Sequence, residues 1–107
     1  MTERWSRGRL RDGAAAPASG EALERLLALP GVEIEQILSG VLDAPLDFRQ
    51  EHDEWVVLLS GNASLVVAGT DVELEPGDWL FLPAGVQHSV VSTAPGSSWL
   101  AVHVGAR

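Results

Sequence analysis

The sequence predicts a single all-β domain, a small antiparallel sandwich or barrel. Short apolar stretches recur from Val32 to Val104, each stopped by glycine or proline, and strands broken at that interval by turn residues characterise sandwiches and barrels. The 107 residues can build one core but not two. Hydrophobic residues make up 46% of the chain, which places it among folded globules and not among disordered tails.

Residues 1–19 read as a flexible basic N-terminal segment, with Arg4, Arg7, Arg9 and Arg11 followed by the linker-like DGAAAPASG. Residues 20–107 are the expected barrel domain. A short helix is expected from Glu21 to Leu29. Ser19 stands as its N-cap, Leu23, Leu26 and Leu27 share a face, Glu21 is spaced to meet Arg25, and Pro30-Gly31 stops it. Such a helix is too short to stand alone and must lie against the barrel.

The period changes after Gly31. Val32-Glu33-Ile34-Glu35 alternates and continues through Ile37-Leu38 as a strand. Residues 41–47 contain Pro45 and form a connection or a weak edge strand. Further strands are expected at Phe48 to Ser60, Ala63 to Ala68, Val72 to Glu75, Trp79 to Leu82, His88 to Ser92 and Trp99 to Val104, making seven or eight in all. Trp55 to Leu59 and Leu65 to Val67 are apolar on both faces. One face fills the barrel and the other needs a cover, which predicts a homodimer packed sheet to sheet.

Composition removes several function classes. The formal charge is −8, and no Lys or Arg occurs between Gln50 and Ala106, so nucleic acid, phosphorylated substrates and anionic membranes are not expected partners of that half. The chain has no cysteine, which leaves any metal to nitrogen and oxygen ligands. No apolar run has the length of a membrane span and the N-terminus lacks a signal-peptide core, so a cytoplasmic protein is expected. Ser60, Ser64 and Ser92 have no histidine and acid arranged around them as in a serine hydrolase, and no glycine-rich phosphate loop opens a helix.

Two stretches can carry chemistry. On a strand, Phe48, Gln50, His52 and Glu54 would share one face. Facing the interior, they would present an amide, an imidazole and a carboxylate together, and His88, just past the rigid Pro83-Ala84-Gly85 turn, would add a second imidazole. That donor set suits a divalent first-row metal. Glu51 to Glu54 can equally be a solvated charge run where a strand begins. Trp99 and His103 share a face of the last strand and can line the same cavity, or serve only in packing.

The spacing within residues 77–92 resembles the second motif of the cupins: Gly77, Pro83 after five residues, Gly85 after one, His88 after two. The later part of the first cupin motif is matched by Glu54, six residues and Gly61. The resemblance covers about residues 48–92 and implies a small antiparallel jelly-roll barrel of the single-domain bacterial kind. It carries Glu54 and His88 over as metal ligands directly. The family's two usual histidines fall on Phe48 and Gln50, so Gln50 offers a weaker oxygen and His52 becomes a substitute, while the family's asparagine falls on Ser92.

The resemblance therefore implies a divalent ion (Zn, Mn, Fe or Ni) held by Gln50, His52, Glu54 and His88, polarising a small oxygen-bearing ligand. Phe48, Ser92, Trp99 and His103 would line the cavity. The alternative is a dimeric cupin that binds or senses a small molecule through a degenerate, metal-free site, and the two missing histidines favour it. The fold does not choose among the reactions found on it.

Overall fold

The computed structural model describes residues 4–105. Nine strands form two antiparallel sheets that face each other as a jelly roll. In chain order they are β1 (Glu21–Leu29), β2 (Val32–Ser39), β3 (Leu46–Phe48), β4 (Asp53–Ser60), β5 (Ala63–Val67), β6 (Thr70–Leu74), β7 (Trp79–Leu82), β8 (His88–Thr93) and β9 (Ser97–Val104). One sheet has the order β1-β2-β9-β4-β7 and the other β3-β8-β5-β6. The core lies between them, on Val56, Leu58, Ala63, Leu65, Leu74, Leu82, Val90, Trp99 and Ala101.

The helix expected over residues 21–29 is instead the edge strand β1. It pairs with β2 from Glu21↔Ser39 to Leu29↔Val32, with a bulge between Arg25 and Leu27. Two physical facts decide against the helix. Nine residues cannot hold a helix without a packed face, whereas Pro30-Gly31 makes a tight hairpin turn, Gly31 taking the φ of +76° that such a turn needs after proline. The charged residues follow the hairpin: Arg25 is ion-paired across it with Glu33, not along a helix with Glu21. The helical content near the N-terminus is a single 3-10 turn at Gly13–Ala15, capped by the Asp12 carboxylate accepting from the Ala14 N–H at 2.8 Å.

That turn belongs to a segment that closes over one end of the larger sheet. Arg11 and Gln36 exchange two hydrogen bonds of 2.8 Å, the Arg11 N–H donating to Oε1 and Nε2 donating to the Arg11 carbonyl. Gly40 is so close to Pro17 that an added Cβ would lie 2.1 Å from its carbonyl oxygen. Gln36 and Leu38, which point away from the barrel interior, are thereby buried.

The stretch from Phe48 to Ser60 is not one strand. The chain leaves β3 in the smaller sheet and enters β4 in the larger one, with residues 49–52 crossing between them. The Gly85 N–H holds the crossing by donating to the Gln50 carbonyl at 2.7 Å, and the Ala84 N–H donates to the Asp53 carboxylate at 2.9 Å. Of the expected common face, Phe48, Gln50 and Glu54 still reach one cavity, from β3, the crossing and β4, whereas His52 turns to His103.

The outer face of the larger sheet is apolar. With Glu54, Val56, Trp99, Ala101 and His103 turned inward, register turns Trp55, Val57, Leu100, Val102, Trp79 and Phe81 outward. Trp55 and Trp79 lie together there, ring centroids 6.0 Å apart. Among the described residues no helix is long and apolar enough to cross a membrane.

Candidate functional site

The two sheets enclose a cavity of about 210 Å³, and alternation decides what lines it. Glu54 on β4 lies between Leu82 of β7 and His103 of β9 in the ladder, all pointing inward. His88 approaches from the opposite sheet, between Phe48 of β3 and Val67 of β5. Glu21, Glu35 and Gln50 complete the polar lining, and Phe48, Leu65, Val90 and Trp99 form much of the apolar wall. Neither Glu21 nor Glu35 has a local sequence signal for the cavity: Glu21 also fits the spacing of a helix, and Glu35 is the polar half of an alternating strand.

Glu54 is 7% exposed, and its carboxylate makes no hydrogen bond to another described residue. Burial raises its pKa above the usual carboxylate value; the nearby His103 and His88 pull the other way. Glu21 is also raised, again chiefly by burial, although the Ser39 hydroxyl donates to it at 3.2 Å. That hydroxyl in turn accepts from the Trp99 indole N–H at 3.1 Å, so the tryptophan, the serine and the glutamate are fixed as one chain.

A second chain runs through the histidines. His103 Nε2 donates to Glu35 at 2.7 Å, while His103 Nδ1 meets His52 Nε2 at 2.8 Å. Nδ1 accepts from His52 when the His103 ring is neutral and donates to it when the ring is protonated. The hydrogen bond to Glu35 is the main reason that the His103 pKa is raised. Stability from a raised histidine is complete below its unfolded value of 6.5 and lost as pH rises through the folded value. The raised carboxylates act in the same direction, because their charged forms are the disfavoured ones. Glu35→Gln is therefore expected to lower the His103 titration midpoint and to flatten the loss of melting temperature as pH rises above 6.5. Ring-proton NMR and thermal scans check both, and an unchanged midpoint would contradict the Glu35 assignment.

The structure brings Gln50, Glu54, His88, Phe48, Trp99 and His103 to the one cavity. It does not bring His52 to the lining; that ring is turned edge-on to His103, centroids 4.9 Å apart. Ser92 is exposed on β8. Phe48 has no donor atom and stacks on His88, centroids 5.3 Å apart and planes 17° from parallel. Among the described residues no three His, Cys, Asp or Glu side chains are grouped to hold a metal ion. Of the four residues that the resemblance implied as ligands, Gln50, Glu54 and His88 line the cavity, while His52 spends its Nε2 on His103, which leaves one carboxylate and one imidazole with a neutral amide, a weak donor set for a divalent ion.

Comparison with known proteins agrees with this architecture. The family description of the cupin domain matches residues 34–103, well over half of the chain, and the chain belongs to the cupin family. No curated protein matches it. Among solved structures, a protein from Ralstonia eutropha JMP134, provisionally named a mannose-6-phosphate isomerase, is 30% identical with a TM-score of 0.72, over 92% of this chain and 100% of that one. A cupin protein from Bacteroides fragilis is 24% identical with a TM-score of 0.67, over 99% and 87% of the two chains. KdgF from Halomonas sp. is 21% identical with a TM-score of 0.71, over 82% and 81%. The last two show likeness of fold alone.

Proposed function

We propose that this cupin binds, without a metal ion, a small molecule that offers hydrogen-bond donors to Glu54. The observation that carries the reading is that carboxylate: buried, turned into the cavity between the sheets and without a hydrogen-bond partner among the described residues. A polar group taken from water without a partner costs free energy, and a ligand donor removes that cost. His88 and the Glu35-held His103 flank the carboxylate and can hold or release a proton beside the bound molecule. A sugar phosphate of the kind that the Ralstonia protein's name suggests is disfavoured, because no Lys or Arg lines the cavity and three carboxylates do.

The test is a small neutral fragment set, read by two-dimensional NMR on protein kept in EDTA. Binding shifts are expected at the indole N–H of Trp99 and around Glu54, and are expected to vanish in Leu65→Trp, which fills the cavity. Shifts confined to the outer surface would refute the reading.

A second reading has one observation in its favour: Gln50, Glu54 and His88 all line the cavity and could draw together on a divalent ion. Metal-stripped protein is expected to show no change in melting temperature with Zn, Mn, Fe or Ni. A stoichiometric metal bound through His88, and lost in His88→Ala, would replace the first reading by this one.

We also propose that a second copy covers the outer face of the larger sheet. Trp79 and Phe81 are 58% and 55% exposed beside Trp55, Val57, Leu100 and Val102, a contiguous apolar surface of the kind that marks an interface. Sedimentation at micromolar concentration is expected to give twice the chain mass of 11.4 kDa, and the Trp79→Glu, Phe81→Glu variant the single mass. A monomeric parent protein would end this proposal.

A further inference from the structure

We propose that the molecule bound in the cavity is a small organic ammonium ion with an apolar body, an assignment that rests on the cavity being a ligand site. The lining contains three carboxylates, Glu21, Glu35 and Glu54, against two histidines and no Lys or Arg. Their partners are unequally shared. Glu35 is satisfied by His103 at 2.7 Å and Glu21 accepts from the Ser39 hydroxyl at 3.2 Å, while Glu54, 7% exposed, has no hydrogen-bond partner among the described residues. The protein thus gathers negative charge around one partly open cavity and leaves Glu54 without a hydrogen-bond donor among the described residues.

A primary ammonium group supplies what is missing. It carries three N–H donors and one positive charge, and charge-assisted hydrogen bonds to carboxylates are roughly twice as strong as neutral ones. A hydroxyl supplies one donor and no charge. A carboxylate or phosphate ligand would add to the repulsion among Glu21, Glu35 and Glu54.

The remaining wall fixes the rest of the ligand. Phe48, Leu65, Val90 and Trp99 offer no charge and suit an apolar body. At about 30 Å³ for a water molecule, the 210 Å³ cavity has room for about seven waters, hence for a ligand with a similar number of non-hydrogen atoms.

The test compares benzylamine, benzyl alcohol and benzoate at pH 7.5 in EDTA, by two-dimensional NMR titration of the intact chain. Benzylamine is expected to bind about tenfold or more tightly than benzyl alcohol, which corresponds to one charge-assisted hydrogen bond, and benzoate is expected not to bind. Glu54→Gln keeps the size of the side chain and removes its charge. It is expected to abolish the preference for the amine, with an unchanged dispersion of the backbone amide spectrum reporting that the variant is folded; Glu21→Gln should reduce the preference in part. Equal affinity for amine and alcohol, or an amine preference that survives Glu54→Gln, overturns the ammonium assignment and leaves the cavity a ligand site. Amine binding that disappears only because EDTA is present likewise overturns it in favour of a metal-bound amine. Binding of none of the three at millimolar concentration overturns both the assignment and the reading beneath it.

Discussion

Trp99→Ala is expected to be among the most destabilising single changes in this barrel, at about 3–5 kcal/mol, the range for removing a buried tryptophan or phenylalanine. Trp99 is 3% exposed and packs in the core between the sheets. Its indole N–H is also the donor that holds the Ser39 hydroxyl, which then donates to Glu21. The variant loses packing and, in addition, frees Glu21 from its fixed place at the cavity. For a domain of this size the melting temperature should fall by roughly 20 °C. Trp99→Phe restores most of the packing but not the N–H, so it separates the two effects: a fall close to that of alanine would show that the hydrogen-bonded chain matters more than the filled volume. Thermal scans of the two variants side by side provide the measurement.

Gly61→Ala is expected to have an effect of similar size from a different cause. Gly61 has φ +88°, where a side chain is strained, and an added Cβ would lie 2.0 Å from Ser97 Oγ and 2.7 Å from Ser97 Cα. The first contact could be relieved by turning a hydroxyl, but the second is backbone. The left-handed conformation alone costs about 1–2 kcal/mol, and separating β4 from the start of β9 costs more, because Ser97 is fully buried and its hydroxyl donates to the Ala94 carbonyl at 2.6 Å. Poor yield of folded protein, or a fall of about 10 °C or more in melting temperature, is the expected result. A variant as stable as the parent would mean that the turn can move away from β9 without loss.

Most of the barrel was legible because its strands obey a local rule: a side-chain period of two, punctuated by turns that glycine or proline imposes. Val32 to Ser39 begins with that alternation, Trp79 to Leu82 is an apolar run marked off by the turns on either side, and both appear in the structure nearly where the sequence put them. Residues 21–29 did not, because the sequence of an edge strand with one bulge also satisfies a helical spacing of leucines; the deciding contact is with β2, and only the fold supplies it. His88 and Glu54 were found through the spacing of glycine and proline around them, since those residues set the turns that aim both side chains inward. His52 leaves the inward-facing set for a related reason. The run FRQEHDE keeps a strand's alternation on paper, but the Gly85 and Ala84 amides pull it into a crossing between sheets. The link from His103 to Glu35 joins two strands far apart in sequence and had no local signature.

The position of β9 has a consequence for how the chain acquires its fold. The last strand in sequence lies in the middle of the larger sheet, with β2 on one side and β4 on the other. During synthesis the β1–β2 hairpin and the β4–β7 pair emerge as two unconnected pieces, each with an open edge, and nothing joins them until residues 97–104 leave the ribosome. Closure of the larger sheet thus waits for residues 97–104, and from the completion of β7 until then β2 and β4 each keep an unpaired edge.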